Sequence, residues 1–149
     1  MQREHLLTAG LRQVSILVYN LGDRYNKRFY LDGGFMNQAT TQQMPEITAT
    51  ELKQRLDNGD DVQIVDVREA DEVAIATIPN SIHIPLAQVI NRMSEIDPAR
   101  DTVVHCKMGG RSARAIQSLK QSGFTGNLLN LKGGIIAWSN EVDPSVPKY

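Results

Sequence analysis

The sequence predicts an α/β fold, a rhythm of strands and helices giving a mainly parallel sheet with helices on both faces, and three observations predict it. From residue 46 onward, short apolar runs alternate with segments of helical spacing. The run "VQIVDV" at 62–67 is apolar apart from Gln63 until Asp66, as suits a strand covered on both faces. Capping residues and glycines punctuate the helical segments, so each strand is followed by a return that favours right-handed crossovers.

The elements follow in order. In "ITATELKQRLDNGDD" Thr48 is placed as a helix cap, Glu51 completes a capping box, Leu52 and Leu56 share a face, and Gly59 stops the helix. "VQIVDV" is the next strand. "SIHIP" is a short strand ended by Pro85, and "LAQVINRMSEI" is expected to be helical, with Leu86, Val89, Ile90 and Met93 on one face. "TVVHC" is another strand. "RSARAIQSLKQSG" predicts a helix, opened by Arg111 or Ser112, apolar at Ala113, Ile116 and Leu119, and stopped by Gly123. "NLLNL" closes the series as the last strand.

Residues 1–45 read as an N-terminal extension and linker. "QVSILVYN" alternates at Val14, Ile16 and Val18, and "NLGD" would turn it toward "KRFYL", but a single hairpin buries too little to be stable alone. "GGFMNQATTQQMPE" has the glycines, polar residues and proline of a linker, which places a boundary near Pro45. The expected organisation is therefore an extension at 1–45, a domain at 46–142 and a tail at 143–149.

Composition narrows the class. The 149 residues suffice for one ordinary domain, and 41% hydrophobic with 22% charged residues is the balance of a folded, soluble protein. A net charge of −1, spread without a basic block, makes nucleic acid an unexpected partner. One cysteine closes no disulfide, and His5, His83 and His105 lack ligand spacing, so no metal and no cofactor is expected. The apolar runs near the start are broken by Arg12, Gln13 and Ser15, and none approaches the roughly 18 to 20 residues that span a bilayer. The expectation is no membrane, a reducing compartment, and the cytoplasm by default.

The single cysteine sits in "VVHCKMGGRSARA". A lone cysteine is most often a small buried hydrophobe, but the neighbours of Cys106 point elsewhere. It lies where a strand hands over to a helix, the edge of an α/β sheet at which ligands collect. Lys107, Met108, Gly109 and Gly110 form the turn and Arg111 or Ser112 opens the helix, leaving several backbone N–H groups without intrahelical partners. The two glycines allow positive φ and close approach. The helix dipole and Arg111 are expected to lower the thiol from a free pKa of roughly 8.5, making Cys106 a nucleophile.

Cys106, four residues including Gly109, then Arg111 and Ser112 resemble the active-site loop of rhodanese-type sulfurtransferases. "IVDVR" at 64–68 and "SGFTGNLLNLKGGIIAW" at 122–138 are similar to further motifs of that family, in the same order. The resemblance covers about residues 46–142 and implies a three-layer rhodanese-like sandwich. It implies that Cys106 takes sulfur from a donor such as thiosulfate as a persulfide, held by the N–H groups from Lys107 to Ser112, and passes it on. Arg111 would steady the loop and its charge, and Lys107 would draw in an anion. The implied partners are a small anionic sulfur donor or a persulfide-carrying protein, and a thiol, cyanide or a sulfur-carrier protein as acceptor. One departure concerns the pocket wall: the family's "GHIPGA" stands here as "ATIPNS" at 76–81, preceded by Ala74 in place of an aromatic residue.

The remaining candidates are given supporting roles. Asp66 and Arg68 are expected to pair at a strand end and fix the loop behind the site. His105 should face away from Cys106, since neighbours on a strand point to opposite sides, and is expected to be a hydrogen-bonded structural residue. Trp138 belongs to the core, and Met108 is either a rim contact or an exposed residue without consequence. Two rivals remain. Cysteine phosphatases and arsenate reductases use a similar loop, but with five residues between cysteine and arginine where this chain has four. A regulatory or redox-sensing module with an intact loop is the other.

Overall fold

A computed structural model describes residues 43–149; the strand, hairpin and most of the linker expected before residue 43 lie outside the described residues. Strands β1 (Glu46–Ile47), β2 (Val62–Asp66), β3 (Ser81–His83), β4 (Asp101–His105) and β5 (Leu128–Leu131) form one sheet in the order β1-β5-β4-β2-β3. All four pairings are parallel. The helices are α1 (Ala49–Asp57), α2 (Ala70–Ile75), α3 (Gly110–Gln121) and α4 (Gly134–Glu141).

The expected three-layer α/β arrangement is the one observed. Alternation along β2 and β4 sends Val62, Ile64 and Val103 into a cluster with Leu52, Ile135 and Trp138 of α1 and α4. Val65, Val104 and Cys106 go the other way, into a cluster with Ala115, Ile116 and Leu119 of α3. Every residue of β2 is buried, Gln63 included. Its amide donates to the Asp97 carbonyl at 2.6 Å and to Thr102 at 2.7 Å, so this buried polar side chain is satisfied.

Helix α1 begins as the sequence dictates. The Thr48 hydroxyl accepts from the Glu51 N–H at 3.2 Å, and the Glu51 carboxylate accepts from the Thr48 N–H at 2.8 Å. Gly59, at φ +78°, takes the left-handed turn that ends it.

The helix expected over Leu86–Ile96 does not form. Two short 3₁₀ turns, Leu86–Gln88 and Met93–Glu95, replace it. Val89 and Ile96 are buried while Leu86 and Met93 pack against the same cluster, and Ile90 is left exposed. Packing against the sheet and α3 sets this spacing, and Asn91 and Ser94, which compete for backbone hydrogen bonds, offer little to hold a continuous helix. Two elements carried no signal. Strand β1 is only two residues long, and α2 buries none of its six residues and so has no apolar stripe.

Candidate active site

Strand β4 lies between β5 and β2, and Cys106 follows its last residue at the carboxyl edge of the sheet. The side chain continues the inward face of Val104 and is 2% exposed. Gly109, at φ +102°, caps α3 in the left-handed conformation, which turns the loop back over the sulfur. Its N–H donates to Cys106 Sγ at 3.1 Å. The Ser112 hydroxyl stands 3.5 Å from Sγ, 3.0 Å from the Gly109 carbonyl and 2.7 Å from Asn130 Oδ1. One proton serves three acceptors, so donation to a thiolate competes with donation to Asn130.

Burial is the largest influence on the thiol and pushes its pKa up. The Ser112 hydroxyl and the N–H groups of Ser112, Gly109 and Met108 together outweigh it, and the net shift is downward. Of the backbone donors expected from Lys107 to Ser112, those of Met108, Gly109 and Ser112 act on the sulfur. The guanidinium of Arg111, whose charge also couples to that of Cys106, makes a two-pronged pair with Glu72 of α2, with Nη2 to Oε1 at 2.7 Å. That hydrogen bonding pulls the Glu72 carboxyl down to about 2 and raises Arg111.

The carbonyls of the loop face the other way. Ile135 N–H donates to the Cys106 carbonyl at 2.9 Å and Ile136 N–H to that of Lys107 at 3.2 Å. These are free donors of the first turn of α4. With both carbonyls pinned behind the loop, its N–H groups are left on the sulfur side. Gly134 makes this possible, at φ +59° and with space for no side chain.

Asp66 and Arg68 meet behind the site, both buried. Arg68 Nε lies 2.9 Å from Asp66 Oδ1, and the guanidinium also donates to the Ala76 carbonyl at 2.7 Å and the Glu72 carbonyl at 3.3 Å. The "ATIPNS" segment therefore supplies an acceptor for a buried cation, and its Asn80 adopts φ +62°, a left-handed position that asparagine tolerates. Ala74 is exposed. Burial raises the Asp66 carboxyl, and the Arg68 hydrogen bonds and neighbouring positive charge reverse this, leaving it below its ordinary range.

His105 faces away from Cys106, but the expected hydrogen bond is missing. Neither ring nitrogen has a partner, and Nε2 is 3.6 Å from Asp66 Oδ2, beyond hydrogen-bonding reach. Burial holds its pKa down to about 4, so the ring is neutral at pH 7. Met108 is 72% exposed, Gly110 is exposed, and Lys107 is half-buried at the rim. Sequence reasoning missed Glu72, Asn130 and Tyr149. Tyr149 Oη accepts from Arg68 Nη1 at 2.6 Å and donates to Glu72 Oε1 at 3.0 Å, while its ring faces Lys107 Nζ at 4.4 Å.

Comparison with known proteins follows the same outline. Residues 48–141 match the family described as Rhodanese-like domain. A protein named Sulfurtransferase from Allochromatium vinosum is 44% identical over 101 residues, which are 68% of this chain and 94% of that protein. The Adenylyltransferase and sulfurtransferase MOCS3-2 of Zea mays is 34% identical over 74% of this chain, which spans 25% of that longer protein. Among solved structures, the Rhodanese-like Domain Protein from Staphylococcus aureus superposes with a TM-score of 0.61 at 32% identity, covering 71% of this chain and 99% of that one.

Proposed function

Because the chain belongs to the rhodanese-like domain family, we propose that it is a sulfurtransferase that carries sulfane sulfur on Cys106. The observation that supports this most directly is the Cys106 sulfur itself, with the Gly109 N–H at 3.1 Å and the Ser112 hydroxyl at 3.5 Å, and its downward pKa shift against burial. Lowering the pKa enlarges the thiolate fraction, and the thiolate is the nucleophile.

With thiosulfate as donor, the thiolate attacks the outer sulfur. A Cys106–sulfur bond forms, the sulfur–sulfur bond of thiosulfate breaks, and its electron pair leaves with sulfite. The persulfide anion replaces the thiolate under the same ring of donors, from Lys107 to Ser112, so negative charge stays in one place through the step. In the second half an acceptor attacks the terminal sulfur and the electron pair returns to Cys106 as thiolate: cyanide leaves as thiocyanate, and a thiol, small or carried on a protein, leaves as its persulfide. A persulfide-carrying protein would serve as donor by the same displacement. Asp66 and Arg68 support the loop from behind, and neither cofactor nor metal enters either step.

Intact-mass analysis after incubation with thiosulfate tests this. One added sulfur atom is expected, removable by cyanide or a reducing thiol and absent from Cys106→Ser. Hydrolysis of aryl phosphates that depends on Cys106, with no sulfur gained from thiosulfate or a protein persulfide, overturns the reading in favour of a phosphatase.

A further inference from the structure

Residues 143–149 lie beyond the matched family segment, yet they reach the candidate site. Val146 is buried in the cluster that holds Trp138, and its carbonyl accepts from the Ser139 hydroxyl at 2.7 Å. This anchor sets Tyr149 at the rim of the loop, half-buried. Its hydroxyl uses both capacities, accepting from Arg68 at 2.6 Å and donating to Glu72 at 3.0 Å, which fixes the plane of the ring. The fixed ring face then meets Lys107 Nζ at 4.4 Å, within the range of a cation–π contact. Among the described residues no carboxylate pairs with Lys107.

We propose that Tyr149 is a positioning residue that holds the Lys107 ammonium beside Cys106, so that an anionic donor meets a fixed positive charge at the mouth. Lysine has a flexible four-carbon stem and a strongly hydrated head, and without a partner it would spread its charge through solvent. The aromatic face confines it. Arg111 also couples to the Cys106 charge, but its pairing with Glu72 offsets part of its attraction for an anion. The proposal rests on the sulfurtransferase reading for its substrate, but the placement of charge can be tested without any sulfur donor.

The test uses the full chain and two probes of Cys106, iodoacetate, which is anionic, and iodoacetamide, which is neutral. The ratio of their rates at a pH where the thiol is ionised reads the local potential. Tyr149→Leu should lower the ratio about two- to fivefold, the strength of an exposed cation–π contact. It should raise KM for thiosulfate by the same factor and leave kcat in place. Tyr149→Phe keeps the ring but loses the two hydrogen bonds that fix its plane, and should give a ratio between those of the wild type and Tyr149→Leu. Lys107→Met should show the same loss, and adding Tyr149→Leu to it should cost nothing more. An unchanged ratio in Tyr149→Leu, or a further equal loss in the double variant, overturns the proposal; Tyr149→Met is read in the same way if the leucine variant does not fold. A chain that shows this ratio pattern but gains no sulfur overturns the function proposed above and leaves the role of Tyr149 standing.

Discussion

Gly134 lies against the backbone of Cys106 so closely that a Cβ on it would stand 2.4 Å from the Cys106 carbonyl oxygen and 2.4 Å from that of Lys107. Both oxygens are backbone atoms held by α4, so neither can step aside. Gly134→Ala should destabilise the fold by about 1–3 kcal/mol or more, from overpacking and positive φ together. Urea midpoints check this. Gly110 is the contrast, with open space where its Cβ would be and no positive φ, and Gly110→Ala should leave the midpoint unchanged or slightly higher. Equal loss in both variants would contradict the contact.

The thiol of Cys106 should titrate below the free value of roughly 8.5 in a profile of alkylation rate against pH. Ser112→Ala removes the hydroxyl that contributes most to the lowering and should raise the midpoint. Arg111→Ala should move it less, because that guanidinium is spent on Glu72. A larger effect of Arg111 would restore the simpler expectation drawn from the sequence.

Glu72→Gln leaves Arg111 without its carboxylate and should destabilise the fold at pH 7 by about 1–2 kcal/mol, between the values for exposed and buried pairs. The carboxyl titrates near 2 when folded, against roughly 4.3 in an unfolded chain. Its contribution is therefore complete above the unfolded value and disappears as pH falls through the folded one. Stability curves of wild type and variant should converge over that window. Curves that stay parallel down to pH 2 would remove the pair from the account.

His105 titrates near 4 when folded, against roughly 6.5 when unfolded. Below the unfolded value the open chain binds a proton that the folded chain refuses, so stability present at neutral pH is lost as pH falls toward 4, by about 3 kcal/mol. His105→Asn cannot titrate and should flatten this part of the profile. Denaturation midpoints from pH 7 to 4.5 decide it.

A chain starting at Gln43 should fold cooperatively and retain sulfur transfer, consistent with a domain that does not depend on the preceding residues. Pro45 has to be kept, since its carbonyl accepts from the Asn130 N–H at 2.9 Å and leads into β1. A truncated chain that is insoluble, or lacks a sharp unfolding transition, would move the boundary toward the N-terminus.

The parts of this site that were legible in the sequence are those whose causes are local. Thr48 and Glu51 announce a helix start within four residues, and the cysteine, glycines and Ser112 announce an anion cradle within seven. What escaped depends on contacts across the fold. Glu72 is 39 positions from Arg111, and Tyr149 is 77 from Glu72. Helix α2, which carries Glu72, has no buried residue and so no periodicity to read. The Leu86–Ile96 segment shows the opposite error: it has an apolar pattern that suits a helix, and tertiary packing uses it for two tight turns.

Strand β4 has neighbours on both sides, and the chain leaving it is tied by two N–H groups of α4 with Gly134 pressed against its backbone. Amide protons of Val103 to His105 should accordingly exchange with solvent only when the whole domain opens. A cysteine braced in this way has no slack with which to swing toward a distant site. Any traffic through it leaves the travelling to the other molecule, which must either be small enough to diffuse to the rim or present its reactive group on an extended end.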